Sequence, residues 1–261
     1  MPVQDPIPYA SRQHAVTTKA SAPNNGKQMF VDLQSTLAKR YDIHQPHSVE
    51  AFISHDAEAL AKITGVTPAS PEMLLVQEDG NNLDITVFLD QAVITTLSGL
   101  RWDQHWNGEY FNEFCIVLEG ISHFVYLSWN AHYDRPVKLL ELELQAEIDK
   151  FIFAALEAQS ADNAKLISRL FENVQYRPGQ SKETRHRYQT ANHLAQHYCL
   201  WLGKHFDLQH PDHQLRAELA RFYRISGQSK INHIRKHMHC CLLYTSPSPR
   251  DRTRSRMPSS A

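Results

Sequence analysis

The segment from Phe111 to Asn130 is the part of this sequence that most limits the possible folds. Its apolar residues recur at intervals of three and four, the spacing of one helix face, and they are Phe111, Phe114, Cys115, Leu118, Ile121, Val125 and Trp129. Ile116, Val117, Phe124 and Leu127 fill the other sides of the same helix. A helix that is apolar on all sides has to be buried. The rest of the chain must therefore supply elements that surround it.

A β-hairpin is predicted ahead of this helix. Residues 73–76 form a first apolar run, and from Leu83 to Leu89 apolar residues alternate with mostly polar ones, the period of a half-buried strand. Between them, residues 79–82 have the Gly and Asn that hairpin turns favour. The predicted fold class is α+β, predominantly helical, with one hairpin packed on the buried helix.

Other helices are predicted from helical spacing of apolar residues. Ser48 is the expected N-cap of one of them, and Pro136 is expected in the first turn of another. The polar stretch over 98–109 is predicted to be a loop. The predicted helices cover residues 29–41, 48–64, 136–158, 160–175, 182–203, 212–225 and 228–238.

The two ends are expected to lie outside the fold. Residues 1–28 are interpreted as a disordered leader or as residues ahead of a true start at Met29. Residues 241–261 include CLLYTSPSPRD and SRMPSSA, which resemble two segments of a translated sequencing-library adapter. We interpret this tail as an artefact, so that the native C-terminus is missing from about residue 240 onward. The alternative is a basic, disordered tail. Between the ends, an α+β core is expected over 29–160 and a basic helical segment over 161–240.

Charge divides the chain into an acidic and a basic part. Residues 29–180 hold 10 Lys and Arg against 22 Asp and Glu, whereas residues 181–240 hold 10 against 4. The two parts either pack against each other or leave a basic surface for an anionic partner. Patterning predicts no membrane span and no secretory signal. The isolated Cys115 and Cys199 indicate a reducing cytoplasm.

Glu119 and His123 are the residues most suggestive of chemistry. They are four apart and therefore share a face of the predicted buried helix. Buried carboxylates and imidazoles need partners, so these two either form a local hydrogen bond or share a cation or a proton. Glu143 and Glu147 share a face of the next helix, where Lys150 is a counter-charge for Glu147.

The order of a hairpin, a helix with two potential ligands and a helix with a further Glu resembles the minimal zincin metallopeptidases. The resemblance covers about residues 72–157, with Glu119-Gly120-Ile121-Ser122-His123 on the H-E-x-x-H motif and Glu147 to Phe151 on the E-x-x-N-x-F pattern. It implies a divalent metal such as zinc, held by Glu119, His123 and Glu147. The function expected is a zincin-like metal-binding module, degenerate in its motif, or a metal-dependent hydrolase.

This sequence departs from the H-E-x-x-H motif at two positions. Glu119 replaces the first His and can still bind a metal, but Gly120 stands where the general-base Glu belongs and cannot accept a proton. Either Glu143 replaces that base, or the site binds metal without hydrolysis, or the likeness is accidental.

Two other sets of residues are further candidates. The pairs His193 with His197 and His233 with His237 also have helical spacing. The alternative function is a non-enzymatic adaptor or regulator that binds protein or nucleic acid through its basic C-terminal helices. Its candidate residues are Arg216, Arg221, Arg224, Lys230, Arg235 and Lys236.

Overall fold

The computed structural model describes residues 24–79, 82–100, 108–157, 162–174, 176 and 179–242, and of 24–27, 79, 82 and 239–242 only the backbone. Several predicted features fall outside these ranges: most of residues 1–28, most of the tail from 241, the turn residues 80 and 81, and residues 101–107 of the predicted loop. The helices are α1 Asn24–Tyr41, α2 Ala57–Thr64, α3 Gln91–Leu97, α4 Phe111–His132, α5 Leu139–Leu156, α6 Asn163–Ile167, α7 Lys182–His205, α8 His213–Arg224 and α9 Gly227–Leu242. The strands are β1 Ile53–Ser54, β2 Glu72–Asp79 and β3 Asn82–Leu89. The predicted fold class, α+β and predominantly helical, is confirmed.

The strands form one small mixed sheet in the order β1-β3-β2. β2 and β3 make the predicted antiparallel hairpin, with Val76 opposite Ile85. β1 runs parallel to β3, with Ile53 opposite Val87, and was not expected from the sequence. Two residues are too short a run to produce an alternating pattern.

The predicted helix over 48–64 is wrong in its first half. Val49–Phe52 is a single 3₁₀ turn, and the next two residues pair with β3. α2 begins only after Asp56, whose side chain accepts a hydrogen bond from the Ala59 N–H. The free energy of pairing and burying Ile53 in the sheet thus outweighs the helical preference of the segment.

Other helix boundaries also differ from the prediction. Pro136 precedes α5, which begins at Leu139 with Lys138 as its N-cap. Lys138 has extended backbone, with ψ of 148°, which places the start of the helix after Pro136. α1 begins five residues before Met29, at Asn24. The predicted helix over 160–175 consists of α6 and a following π-helical turn, Ser168–Glu172.

α4 lies at the centre of the core, as its sequence predicts. Sixteen of its residues are buried, and it packs against β2, β3, α1, α3 and α5. α5 lies between α4 and α7, and α7 in turn contacts α9. The buried apolar residues form one cluster from Met29 to Ile234. Helices on both sides of residue 160 therefore contribute to the same core.

Gly120 allows α4 to lie very close to the sheet. A Cβ atom at this position would be 3.0 Å from Val87 Cγ1, 3.2 Å from Glu72 Cγ and 3.3 Å from Leu89 Cδ2. These distances are at or below the van der Waals limit, so a larger residue would push the helix and the hairpin apart. The glycine in the H-E-x-x-H position is therefore a packing residue here.

Lys230 of α9 crosses the core and ends in a buried polar network. Its Nζ donates to Gln145 Oε1 at 2.8 Å and to Tyr126 Oη at 3.1 Å. The amide nitrogen of Gln145 donates to Asp149 Oδ1 at 2.9 Å, so the Gln145 side chain bridges the ammonium and a carboxylate. Asp149 also accepts from Ser122 and Tyr41. The network joins α1, α4, α5 and α9 through hydrogen bonds between buried side chains.

Gly120→Ala is expected to destabilise the protein by about 1 kcal/mol, because overpacking costs about 1–3 kcal/mol and the helical preference of Ala offsets about 1 kcal/mol of it. Gly203→Ala is the matched control, since Gly203 lies in α7 and its nearest Cβ contact would be 3.7 Å away. We expect that variant to be more stable than the parent. Urea unfolding of both variants measures the difference, and equal stabilisation by both would contradict the close approach of α4 to the sheet.

Lys230→Met is expected to change the pH dependence of stability. Burial lowers the pKa of Lys230 to about 7 from an ordinary value of 10.5. Between these pKa values the unfolded chain binds the proton more tightly, so the Lys230 contribution to stability increases with pH and is lost as pH falls toward 7.

The unfolding free energy of the parent relative to Lys230→Met should therefore rise by about 2 kcal/mol from pH 7.5 to pH 9.5. Arg235→Met, at an exposed position of the same helix, is the control and should show no such change. A difference between parent and Lys230→Met that does not vary with pH would show that Lys230 titrates normally.

Candidate metal site

An acidic cluster lies where β2, α4, α5 and α7 meet. We use this name for four carboxylates and three basic side chains: Glu72, Glu119, Glu143 and Glu147, with His123, Lys150 and Arg187. α4 carries Glu119 and His123 one turn apart, and α5 carries Glu143 and Glu147 one turn apart. β2 begins at Glu72, and α7 contributes Arg187.

The His123 imidazole is buried with its two nitrogens in different situations. Nδ1 is 3.2 Å from Glu72 Oε1, where the ring N–H donates to the carboxylate. Nε2 is 3.7 Å from Glu143 Oε2 and has no hydrogen-bond partner among the described residues. The residue is only 6% exposed. The local hydrogen bond between Glu119 and His123 that the sequence allowed is therefore replaced by one between His123 and Glu72.

Glu119, His123 and Glu143 are the residues of the cluster that could hold one metal ion. Each offers one ligand atom, and the three atoms lie within 4.8 Å of one another. Atoms about 2 Å from a common zinc ion would be separated by less than this, so small side-chain movements suffice. In this group Glu143, expected from the sequence as the base, stands in place of Glu147.

Glu147 pairs with Lys150 and does not belong to the group that could hold a metal ion. Lys150 Nζ is 3.0 Å from Glu147 Oε1, the pairing that the sequence predicts, and also 2.6 Å from Glu119 Oε2. Lys150 is 8% exposed, so both ion pairs are largely shielded from water. Glu119 therefore contacts the Lys150 ammonium and also belongs to the group with His123 and Glu143.

Sequence reasoning missed two members of the cluster, Glu72 and Arg187. Glu72 reaches His123 because its Cγ passes over the bare face of Gly120. Arg187 Nε is 3.6 Å from Glu143 Oε1, and this nitrogen has no hydrogen-bond partner within the described part of the chain. Neither residue stands at a helical spacing from the others, so no periodic signal connects them in the sequence.

Burial and mutual repulsion shift the pKa values of the cluster. Burial raises the pKa of Glu143 to about 7. Burial alone would lower the pKa of His123, but the carboxylates of Glu72, Glu143 and Glu119 outweigh it and raise that pKa to about 9. Burial also raises the pKa of Glu147. Metal-free, the cluster therefore holds protons at neutral pH that a bound cation would displace.

The cluster opens on a cleft of about 510 Å³. Glu72, Glu119, Glu147 and Lys150 line it on the side of the cluster, and further lining residues include Tyr176, Gln180, Tyr188 and Asn192. Gln180 Oε1 and Asn192 Nδ2 have no hydrogen-bond partner among the described residues. The cleft thus gives small molecules or ions access to Glu119 and Lys150.

The two histidine pairs have other surroundings. The rings of His193 and His197 are 4.5 Å apart, with no third ligand in the described ranges that would complete a metal group. His233 Nε2 contacts Glu218 Oε1 at 2.7 Å, and His237 stacks on Trp201 at 3.9 Å. His233 and His237 of α9 are therefore packing residues that contact α8 and α7.

The structure reduces the basic surface that the sequence predicts on the C-terminal helices. Lys230 is fully buried, so its assignment to a partner surface is wrong. Arg221 binds Glu218 at 2.7 Å, and Arg224 donates to the Tyr41 backbone oxygen at 3.2 Å. Arg221 is paired within its own helix and stays 60% exposed, so Lys230 alone of the six candidates is removed from the surface. Arg216, Arg224, Arg235 and Lys236 are also exposed.

Comparison of the chain with protein-family models, with curated proteins and with solved structures finds no match. Among the described residues, no helix is both long enough and apolar enough to cross a membrane. The short helix α3, which was not predicted from the sequence, stands between the hairpin and α4. The zincin resemblance stays a prediction.

Proposed function

We propose that this protein binds one divalent metal ion, with Zn²⁺ the first candidate, through Glu119, His123 and Glu143. The observation that carries the proposal is the His123 ring. Its Nδ1 is held by the Glu72 carboxylate, while its buried Nε2 faces Glu143 without a hydrogen-bond partner in the described residues. Metal-bound histidines almost always have this arrangement, in which a carboxylate or carbonyl orients the ring through the other nitrogen.

The charges of the cluster support the same proposal. Among the described residues, the four carboxylates of the cluster face two permanent cations, Lys150 and Arg187. A buried group of charges is stable only when it is nearly neutral. One divalent ion beside a neutral His123 would neutralise the two remaining negative charges of these groups. Without the ion, two bound protons would neutralise them. The ion and the protons therefore compete for the same carboxylates and imidazole.

The ligand set agrees with a borderline or hard divalent ion. One imidazole and two carboxylates suit Zn²⁺, and they also suit Mn²⁺ and Fe²⁺. With three protein ligands, a catalytic zinc site leaves a further position for water or substrate. In the present cluster Glu119 borders the cleft, so this position would be reached from there.

Metal binding, rather than hydrolysis, is the function that the geometry supports best. A hydrolase of the zincin type also needs a general base beside the metal. Gly120 lies against the sheet, and Glu143, the base expected from the sequence, is a ligand in the proposed site. The alternative adaptor would have to bind its partner through the five exposed basic candidates, because Lys230 is buried.

The test is metal stoichiometry of the full chain after loading with excess Zn²⁺ and removal of unbound ion. We expect about one equivalent in the parent protein. Glu119→Gln, His123→Ala and Glu143→Gln should each lose it or weaken binding at least 100-fold, because each removes a direct ligand. Glu72→Ala should weaken binding about 10- to 100-fold, as loss of a partner that orients a ligand does.

Glu147→Gln is the matched control, because it changes the neighbouring carboxylate that faces Lys150 and should leave the equivalent in place. Circular dichroism checks that each variant is folded. A metal-free parent protein would contradict the proposal. Loss of zinc on Glu147→Gln, with retention on Glu143→Gln, would instead favour the ligand set expected from the zincin resemblance.

A further inference from the structure

Two carboxylates bind the Lys150 ammonium in the way that carboxylates bind a metal cation. Two carboxylate oxygens from different helices converge on Nζ, Glu119 Oε2 at 2.6 Å from α4 and Glu147 Oε1 at 3.0 Å from α5. The lysine is 8% exposed, and its two partners are also largely covered. Two ion pairs at these distances favour the charged form of the lysine, so the position holds a positive charge.

Glu119 belongs to two groups at once. With His123 and Glu143 it offers ligand atoms within 4.8 Å of one another, and with Glu147 it binds the ammonium. A carboxylate shared by two adjacent cations is the arrangement of two-metal sites, in which the ions lie about 3.5–4 Å apart. Here the Lys150 ammonium lies beside the group of residues that could hold a metal ion.

We infer that the acidic cluster has two adjacent cation positions that share Glu119, and that Lys150 occupies one of them so that the protein takes one divalent ion instead of two. The inference deepens the proposed metal site and depends on it only for the first position. The second position is the cleft-facing one, between Glu119 and Glu147. Its ligands are carboxylate oxygens, so it would accept Mn²⁺ or Zn²⁺ once the ammonium is removed.

Charge accounts for why the second position would fill. Removal of Lys150 leaves Glu119 and Glu147 without their shared counter-charge in a mostly buried setting. Uncompensated buried charges are strongly unfavourable, so a replacement cation gains in affinity. The cleft gives an ion from solvent a route to the position.

Metal stoichiometry of Lys150→Ala and Lys150→Asn, measured against the parent by native mass spectrometry with Mn²⁺ or Zn²⁺, tests the inference. Each variant should bind one equivalent more than the parent. In Mn²⁺-loaded variants, electron paramagnetic resonance should show the broadened spectrum of two coupled ions. A six-line spectrum of isolated Mn²⁺ is expected for the parent.

Two matched variants control for charge and for ligands. Lys150→Arg keeps the positive charge and should bind no additional ion. The double variant Lys150→Ala with Glu147→Gln lacks a ligand of the second position and should also gain none. A gain in either variant would contradict the inference, because the extra ion would then be bound elsewhere.

The number of metal ions that a Lys150 variant binds beyond the parent tests this inference separately from the proposed function. A parent that binds no metal contradicts the first position, yet a single added equivalent in Lys150→Ala would still support the second. No increment in either variant overturns the inference whatever the parent binds. If both variants unfold without metal, refolding on addition of Mn²⁺ or Zn²⁺ supports it, and failure to refold at any concentration contradicts it.

Discussion

The contact between α4 and the hairpin across Gly120 is the constraint on which the candidate site depends. Because Gly120 has no side chain, Val87 and Leu89 lie directly against the helix backbone, and Glu72 passes over the same bare face. Glu72 thereby reaches Nδ1 of His123, one turn further along α4. The ring is held with its other nitrogen toward Glu143. A residue that looks like a lost catalytic group in the sequence is thus the packing residue that orients the histidine.

Around this contact, the fold keeps an unusual amount of charge within helices that are otherwise apolar. On one side of α5 the acidic cluster combines four carboxylates with His123, Lys150 and Arg187. On another, Asp149 and Lys230 are joined through Gln145 and linked to α1 and α4. The second network is fully hydrogen-bonded at Asp149 and serves to fix the helices. The first leaves His123 Nε2 without a hydrogen-bond partner in the described residues, which distinguishes a candidate binding site from a structural one.

Much of the fold could be predicted because burial of α4 and the alternation in β3 are strong periodic signals. Helical spacing also predicts that Glu119 and His123 share a face, and it predicts the contact between Lys150 and Glu147. It does not predict which of Glu143 and Glu147 approaches His123, because both share a face of α5 and the choice depends on how α5 crosses α4. Glu72 depends on the register of the hairpin against α4. The burial of Lys230 depends on the docking of α9. Periodicity within a segment carries no information on the hairpin register or on this docking.

The most direct measurement is anomalous X-ray diffraction at the zinc absorption edge from crystals of the zinc-loaded protein. A peak between Glu119, His123 and Glu143, with His123 bound through Nε2 and Nδ1 still on Glu72, is the predicted result. The same map should show Lys150 between Glu119 and Glu147 with no anomalous peak there. Crystals of zinc-loaded protein without a peak in the cluster, or with zinc bound at the histidine pairs of α7 or α9 instead, would contradict the account.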